Sequence, residues 1–103
     1  MTALTPVEQS KVDEMLAALH EHGYRDVEAH NDLKPGVRVR HRGHQWLGAA
    51  TLGTGNVVSI TRSPRTIRGV PDVELIVVWD EPRFDSRLSQ LAQYHVEVVG
   101  GVL

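Results

Sequence analysis

Arg38, Arg40 and Arg42 recur at every second residue, and Arg62, Arg65 and Arg68 crowd a second short stretch. Guanidinium groups at alternate residues of a strand project from one face. Each presents a planar fork of donors that matches a phosphate or a carboxylate. Anion recognition is the chemistry these residues offer. Lys34 adds a charge just ahead of the first group, and from Lys34 to Val70 there are seven Lys or Arg and no Asp or Glu. Residues 1–33 are the reverse, with seven acids against Lys11 and Arg25. A formal net charge of -2 therefore conceals two electrostatic halves. Such asymmetry bears on partners rather than on fold. The expected partner of the middle segment is nucleic acid or an acidic protein surface.

Two further residues join the candidate binding set. Trp46 lies in a polar stretch punctuated by Gly43 and Gly48, where an indole stays open to a stacked base, and His44 precedes it by two. Trp79 ends an apolar run and belongs to the core. The competing assignment for the arginines is internal: they pair with the acidic helix, the acidic connector or Asp80-Glu81.

No catalytic constellation accompanies these groups. Ser59, Ser63, Ser86 and Ser89 lack the glycine-flanked turn of an activated nucleophile. Gly53-Thr54-Gly55 has neither the third glycine of a dinucleotide fingerprint nor a following Gly-Lys-Ser/Thr, so it reads as a tight turn. His41-x-x-His44 is followed by no third ligand at a metal-binding spacing, and with no cysteine a zinc site has only imidazole and carboxylate to draw on. No enzyme activity, cofactor or metal is expected.

One hundred and three residues make one domain with a modest core. The absence of cysteine excludes a disulfide framework. The first residues lack the basic and apolar regions of a secretory signal, and no apolar run approaches the roughly 20 residues that span a bilayer. A cytoplasmic protein with no membrane contact is expected.

The elements that must position the arginines are legible in part. Thr5, Pro6 and Glu8 form a capping box with proline in the first turn, and Val12, Met15, Leu16 and Leu19 then make one helical stripe that stops at Gly23. The stripe must be buried on its own domain or on a second copy. Lys34-Pro35-Gly36 is a turn, after which the period changes to two, with Val37, Val39 and His41 on one face and Arg38, Arg40 and Arg42 on the other. Residues 56–62 and 73–79 are strands, the second apolar enough to be covered on both faces. Residues 63–72 read as a loop, 87–94 as a short helical turn, and 95–99 as a last strand. The organisation is an N-terminal amphipathic helix and acidic connector over 1–33, followed by a β unit over 34–103, in one compact domain.

The fold class that results is mainly β with an N-terminal α-helix, a small antiparallel barrel of four to five strands. Pro35-Gly-Val-Arg-Val-Arg, Gly53-Thr-Gly-Asn-Val-Val and Val73-Glu-Leu-Ile-Val-Val-Trp-Asp80 resemble the strand grammar of SH3-like barrels, which KOW, Tudor and Mib/Herc2 modules share. Arg42-Gly43-x-x-Trp46-x-Gly48 with Val78-Trp79-Asp80 is most similar to Mib/Herc2, and the resemblance covers about residues 36–99. It implies a barrel fold more than a ligand. The leading functional expectation is a binding module that takes nucleic acid, or a nucleic-acid-associated complex, on the arginine-rich face. The alternative is a protein-interaction module or a homodimer through the N-terminal helix, held by opposed charge. A small phage or bacterial regulator that blocks a host protein belongs to the same class.

Overall fold

The computed structural model describes residues 4–42, 53–83 and 86–99. It is mainly antiparallel sheet with one N-terminal helix. Helix α1 spans Pro6–Glu21. The Thr5 hydroxyl accepts from the Glu8 N–H at 3.1 Å while the Glu8 carboxylate accepts from the Thr5 N–H at 3.0 Å, closing the capping box. The helix ends at His22, and Gly23 turns the chain away with a φ of +91°, a conformation glycine adopts without steric cost.

Among the described residues six strands follow: β1 (Arg25–Asp26), β2 (Arg38–His41), β3 (Thr54–Ile67), β4 (Val70–Arg83), β5 (Ser86–Ala92) and β6 (Val96–Val98), with a 3-10 turn at Gln93–His95. Their order in the sheet is β5-β4-β3-β2-β6, and β1 pairs separately with β3. The path is open. β5 and β6 stand at its two ends, and no ladder joins them among the described residues, so the sheet is not the closed barrel expected from the sequence.

β4 is covered on both faces, as its apolar run requires. Val73, Leu75, Val77 and Trp79 turn inward to meet Val39, Val57, Ile60 and Val96 in the main core. Ile76 turns outward and meets Val12 and Leu19 of α1, with Met15, Leu16, Tyr24, Val58 and Leu88 packed around them. The helical stripe is thus buried on its own sheet. Val12, Leu19 and Ile76 are out of water, and full burial of such a side chain contributes about 1.5–3 kcal/mol. A second tie joins the same elements, since the Arg87 Nε on β5 donates to Glu8 of α1 at 2.8 Å. Inside the sheet, Trp79 donates its indole N–H to Ser89 at 2.9 Å.

Several segments differ from the sequence reading: Thr54 and Gly55, read as part of a tight turn, already pair as the start of β3, and Arg25–Asp26, read as connector, form β1. Residues 63–72, read as a loop, extend the β3–β4 hairpin, whose register runs through Thr66↔Pro71 and Ile67↔Val70 to a turn at Arg68-Gly69. Its prolines are tolerated for local reasons. Pro64 falls in the irregular stretch between Arg62 and Thr66, and Pro71 lies beyond Glu74, where pairing of β4 with β5 begins. Residues 87–94, read as a helical turn, are mostly strand. The three-residue spacing of Leu88 and Leu91 looks helical but places them on opposite faces, Leu88 toward α1 and Leu91 toward the main core. Only Gln93–His95 turn helically.

Candidate anion-binding surface

The alternation of β2 is as the sequence predicts. Val39 and His41 are buried, while Arg40 is exposed and Arg38 half-exposed on the outer face. The arginines of that face have acidic neighbours. Arg38 grips both carboxylate oxygens of Asp80 at 2.7 Å each, and donates also to Asn56 at 2.9 Å and Thr54 at 3.1 Å. Thr54 in turn donates to Asp80 at 2.8 Å, so the pair is locked across three strands. Arg40 donates through Nε to Glu97 of β6 at 3.1 Å. These bonds hold the Glu97 carboxyl below the ordinary carboxylate range. Arg42 is exposed and lies close enough to β6 for a long 3.4 Å contact from its Nε to the Val96 carbonyl.

The second group stands elsewhere. Arg38 is in register with Asn56 near the start of β3, and Arg62 lies six residues farther along the same strand. At about 3.3 Å per residue the two groups are roughly 20 Å apart along the strand. They do not form one continuous face. Arg62, Arg65 and Arg68 are exposed on the β3–β4 hairpin, and their side chains enter no ion pair among the described residues. Lys34 is exposed in the turn before β2 and likewise unpaired. His44 and Trp46 lie outside the described residues, as do Gly43 and Gly48.

The sheet adds a residue that the sequence reading left in the acidic half. Arg25, in the two-residue strand β1, is directly opposite Arg62 of β3. Residues directly opposite on an antiparallel ladder have Cβ atoms about 4.5–5.5 Å apart, and like charges there destabilise the pairing. Neither arginine has a carboxylate partner among the described residues. No alternation or turn signature marks β1 in the sequence, so nothing there pointed to Arg25. What anchors β1 is its surroundings: the Val27 N–H donates to the Ile60 carbonyl at 3.0 Å, and Asp26 meets His20 of α1 at 2.8 Å.

Arg68 carries a further local cost. Its φ is +53° and that of Gly69 is +79°, the paired left-handed conformation of a tight hairpin turn. Asparagine is the residue suited to the first of these places. An arginine held there at a steric cost is a reason to look for function at the tip.

Beside the hairpin an apolar groove of about 300 Å³ runs between the start of β4 and the 3-10 turn, lined by Val70, Pro71, Val73, Ala92 and Tyr94 among others. Val70 is 57% and Tyr94 62% exposed. Asp72 on the groove wall accepts a 2.6 Å bond from the Tyr24 hydroxyl, which pushes the Tyr24 phenol up to about 12. Glu74, partly buried near Asp72, is raised above the ordinary carboxylate range by desolvation. Three rings continue inward from Tyr94. His95 lies 4.6 Å from it, His41 stacks on His95 at 6.4 Å, and Trp79 meets His41 edge-on at 5.9 Å.

Among the described residues no three His, Asp or Glu side chains converge as a metal would need, and no helix is long and apolar enough to cross a membrane. Comparison with known proteins adds no relative: no protein family, curated protein or solved structure matches the chain. The residues alone carry the functional argument.

Proposed function

We propose that this chain is a non-enzymatic binding module for nucleic acid, gripping phosphates with Arg25, Arg62, Arg65 and Arg68 at the β3–β4 hairpin. One observation carries the reading. Arg25 and Arg62 face each other across β1 and β3 with no acid between them. A phosphate seated there turns a repulsive pair into a two-armed clamp, since guanidinium–phosphate hydrogen bonds are charge-assisted at both ends. Arg65 and Arg68 extend the positive surface along the hairpin. Arg38 and Arg40 belong to the same candidate set, but Asp80 and Glu97 offset their charge, so they contribute less.

For the fold, the reading is an SH3-like arrangement with an open seam. It is supported by one helix followed by a single antiparallel sheet whose last strand returns beside β2. A cytoplasmic setting goes with a nucleic-acid ligand and with a chain free of cysteine.

The test is fluorescence anisotropy of labelled DNA and RNA oligonucleotides at two salt concentrations. Micromolar binding that weakens steeply with salt is expected, and reversing Arg62 and Arg65 to Glu abolishes it while the far-UV spectrum stays unchanged. Wild-type protein that binds nothing at low salt, or a double reversal that binds normally, sinks the proposal.

A second reading rests on a different observation. The helical stripe is spent on the chain's own sheet, which leaves the acidic face of α1, with Asp13, Glu14 and Glu21 exposed, open to a basic surface. The hairpin arginines of a second copy have the complementary charge. Salt-sensitive dimerisation without affinity for nucleic acid is the result that favours this account.

A further inference from the structure

We infer that the nucleic acid taken by this surface is single-stranded, with an unpaired base laid on Tyr94 in the groove beside the hairpin. The inference rests on the nucleic-acid reading above and deepens it. Tyr94 sits in the 3-10 turn, one residue from His95, and the two rings lie 4.6 Å apart with a tilt of 31°. His95 therefore backs one face of the phenol ring, and His41 backs His95 in a nearly parallel stack. A ring supported from behind and still 62% exposed offers its free face at little cost in ordering. Base stacking on such a ring needs no particular base, because every base has a π-face.

The groove makes the rest of the site. Val70 and Tyr94 both line it, and Val70 follows the Arg68-Gly69 turn directly. The apolar slot and the hairpin cations are thus neighbours. Asp72 on the wall disfavours a phosphate inside the slot, so the backbone is directed to the arginines and the base to the slot. A duplex cannot use this arrangement without unstacking a base, since its base faces cover one another and only base edges, sugars and phosphates are accessible from outside.

The experiment compares four probes of equal length by anisotropy: a natural single strand as DNA, the same as RNA, an abasic single strand and a duplex. An abasic strand keeps the phosphates and removes the bases. The natural strands are expected to bind at least about fivefold more tightly than the abasic strand, the lower edge of what one stacked base contributes. Tyr94→Ala removes that advantage and leaves abasic binding unchanged, whereas Tyr94→Trp restores it. Tyr94 is exposed, so neither substitution threatens the fold. Equal binding of natural and abasic strands, or tighter binding of the duplex, overturns the inference and leaves the phosphate-gripping reading intact. Failure of all four probes to bind overturns both.

Discussion

Arg38 of β2 and Asp80 of β4 are joined by two parallel 2.7 Å hydrogen bonds that bridge over β3, with Thr54 and Asn56 completing the donors' partners. A charge that looked available in the sequence is here part of the sheet. Both side chains keep more than a third of their surface in water, so the attraction is screened. Arg38→Ala is expected to lower stability by about 1 kcal/mol in urea denaturation while changing nucleic-acid affinity less than Arg62→Ala does. The reverse ranking in affinity would place the anion site on β2 instead.

What the sequence made legible follows from whether the signal was local. The capping box at Thr5 and Glu8 involves neighbours, and so does the in–out alternation from Val37 to Arg42, and both appear as read. The β4 run was apolar enough to require cover on both faces, and it has it. The fates of the arginines were not local. Whether Arg40 is offset depends on Glu97, fifty-seven residues away, and only the sheet register sets Arg25 against Arg62. The hairpin at residues 63–72 was hidden because two prolines and a glycine read as a loop unless the bulge that accommodates them is known.

Glu8 supplies a pH dependence with a definite sign. Its hydrogen bonds from Arg87 and from the Thr5 backbone hold the carboxyl down at about 2, against 4.5 for an unperturbed glutamate. A carboxyl depressed in the folded state adds stability that is fully present above the unfolded value and disappears as pH falls from about 4.5 to 2. Glu8→Gln is expected to cost about 1 kcal/mol near pH 7, allowing for screening, and almost nothing near pH 2. Urea midpoints of both proteins across that range provide the check. A gap that stays constant with pH removes Glu8 as the titrating group.

The turn at Arg68-Gly69 separates stability from binding. Arg68→Asn relieves part of the left-handed strain and is expected to raise stability by about 0.5–1 kcal/mol. In the same protein the salt slope of nucleic-acid binding should shrink by about one, as expected when one phosphate contact is lost. Thermal melts and a salt titration read the two effects independently. A variant that gains stability and keeps the full slope excludes Arg68 from the contact.

Gly55 is required by space rather than by dihedral. A Cβ there would lie 2.9 Å from the Trp79 Cα and 3.0 Å from its Cε3, and would press still harder on the Val78 carbonyl oxygen. Because the obstacle includes β4 backbone, relaxation must shift the sheet itself. Gly55→Ala should therefore destabilise the protein by about 2 kcal/mol or more, near the upper part of the overpacking range. Chemical denaturation settles this, and a loss below about 0.5 kcal/mol, the level of ordinary surface changes, contradicts it.

The ladder between β2 and β6 sets when the sheet can be completed. Val39 pairs with Val98 and His41 with Val96, so one side of β2 waits for residues near the far end of the described chain. Closing so large a loop is entropically unfavourable until the contacts it permits are in place. During synthesis, the β3–β4–β5 meander pairs between strands adjacent in the chain, whereas the outer edge of β2 stays bare until β6 has left the ribosome. That interval is the time at which this chain is most open to pairing with the wrong strand.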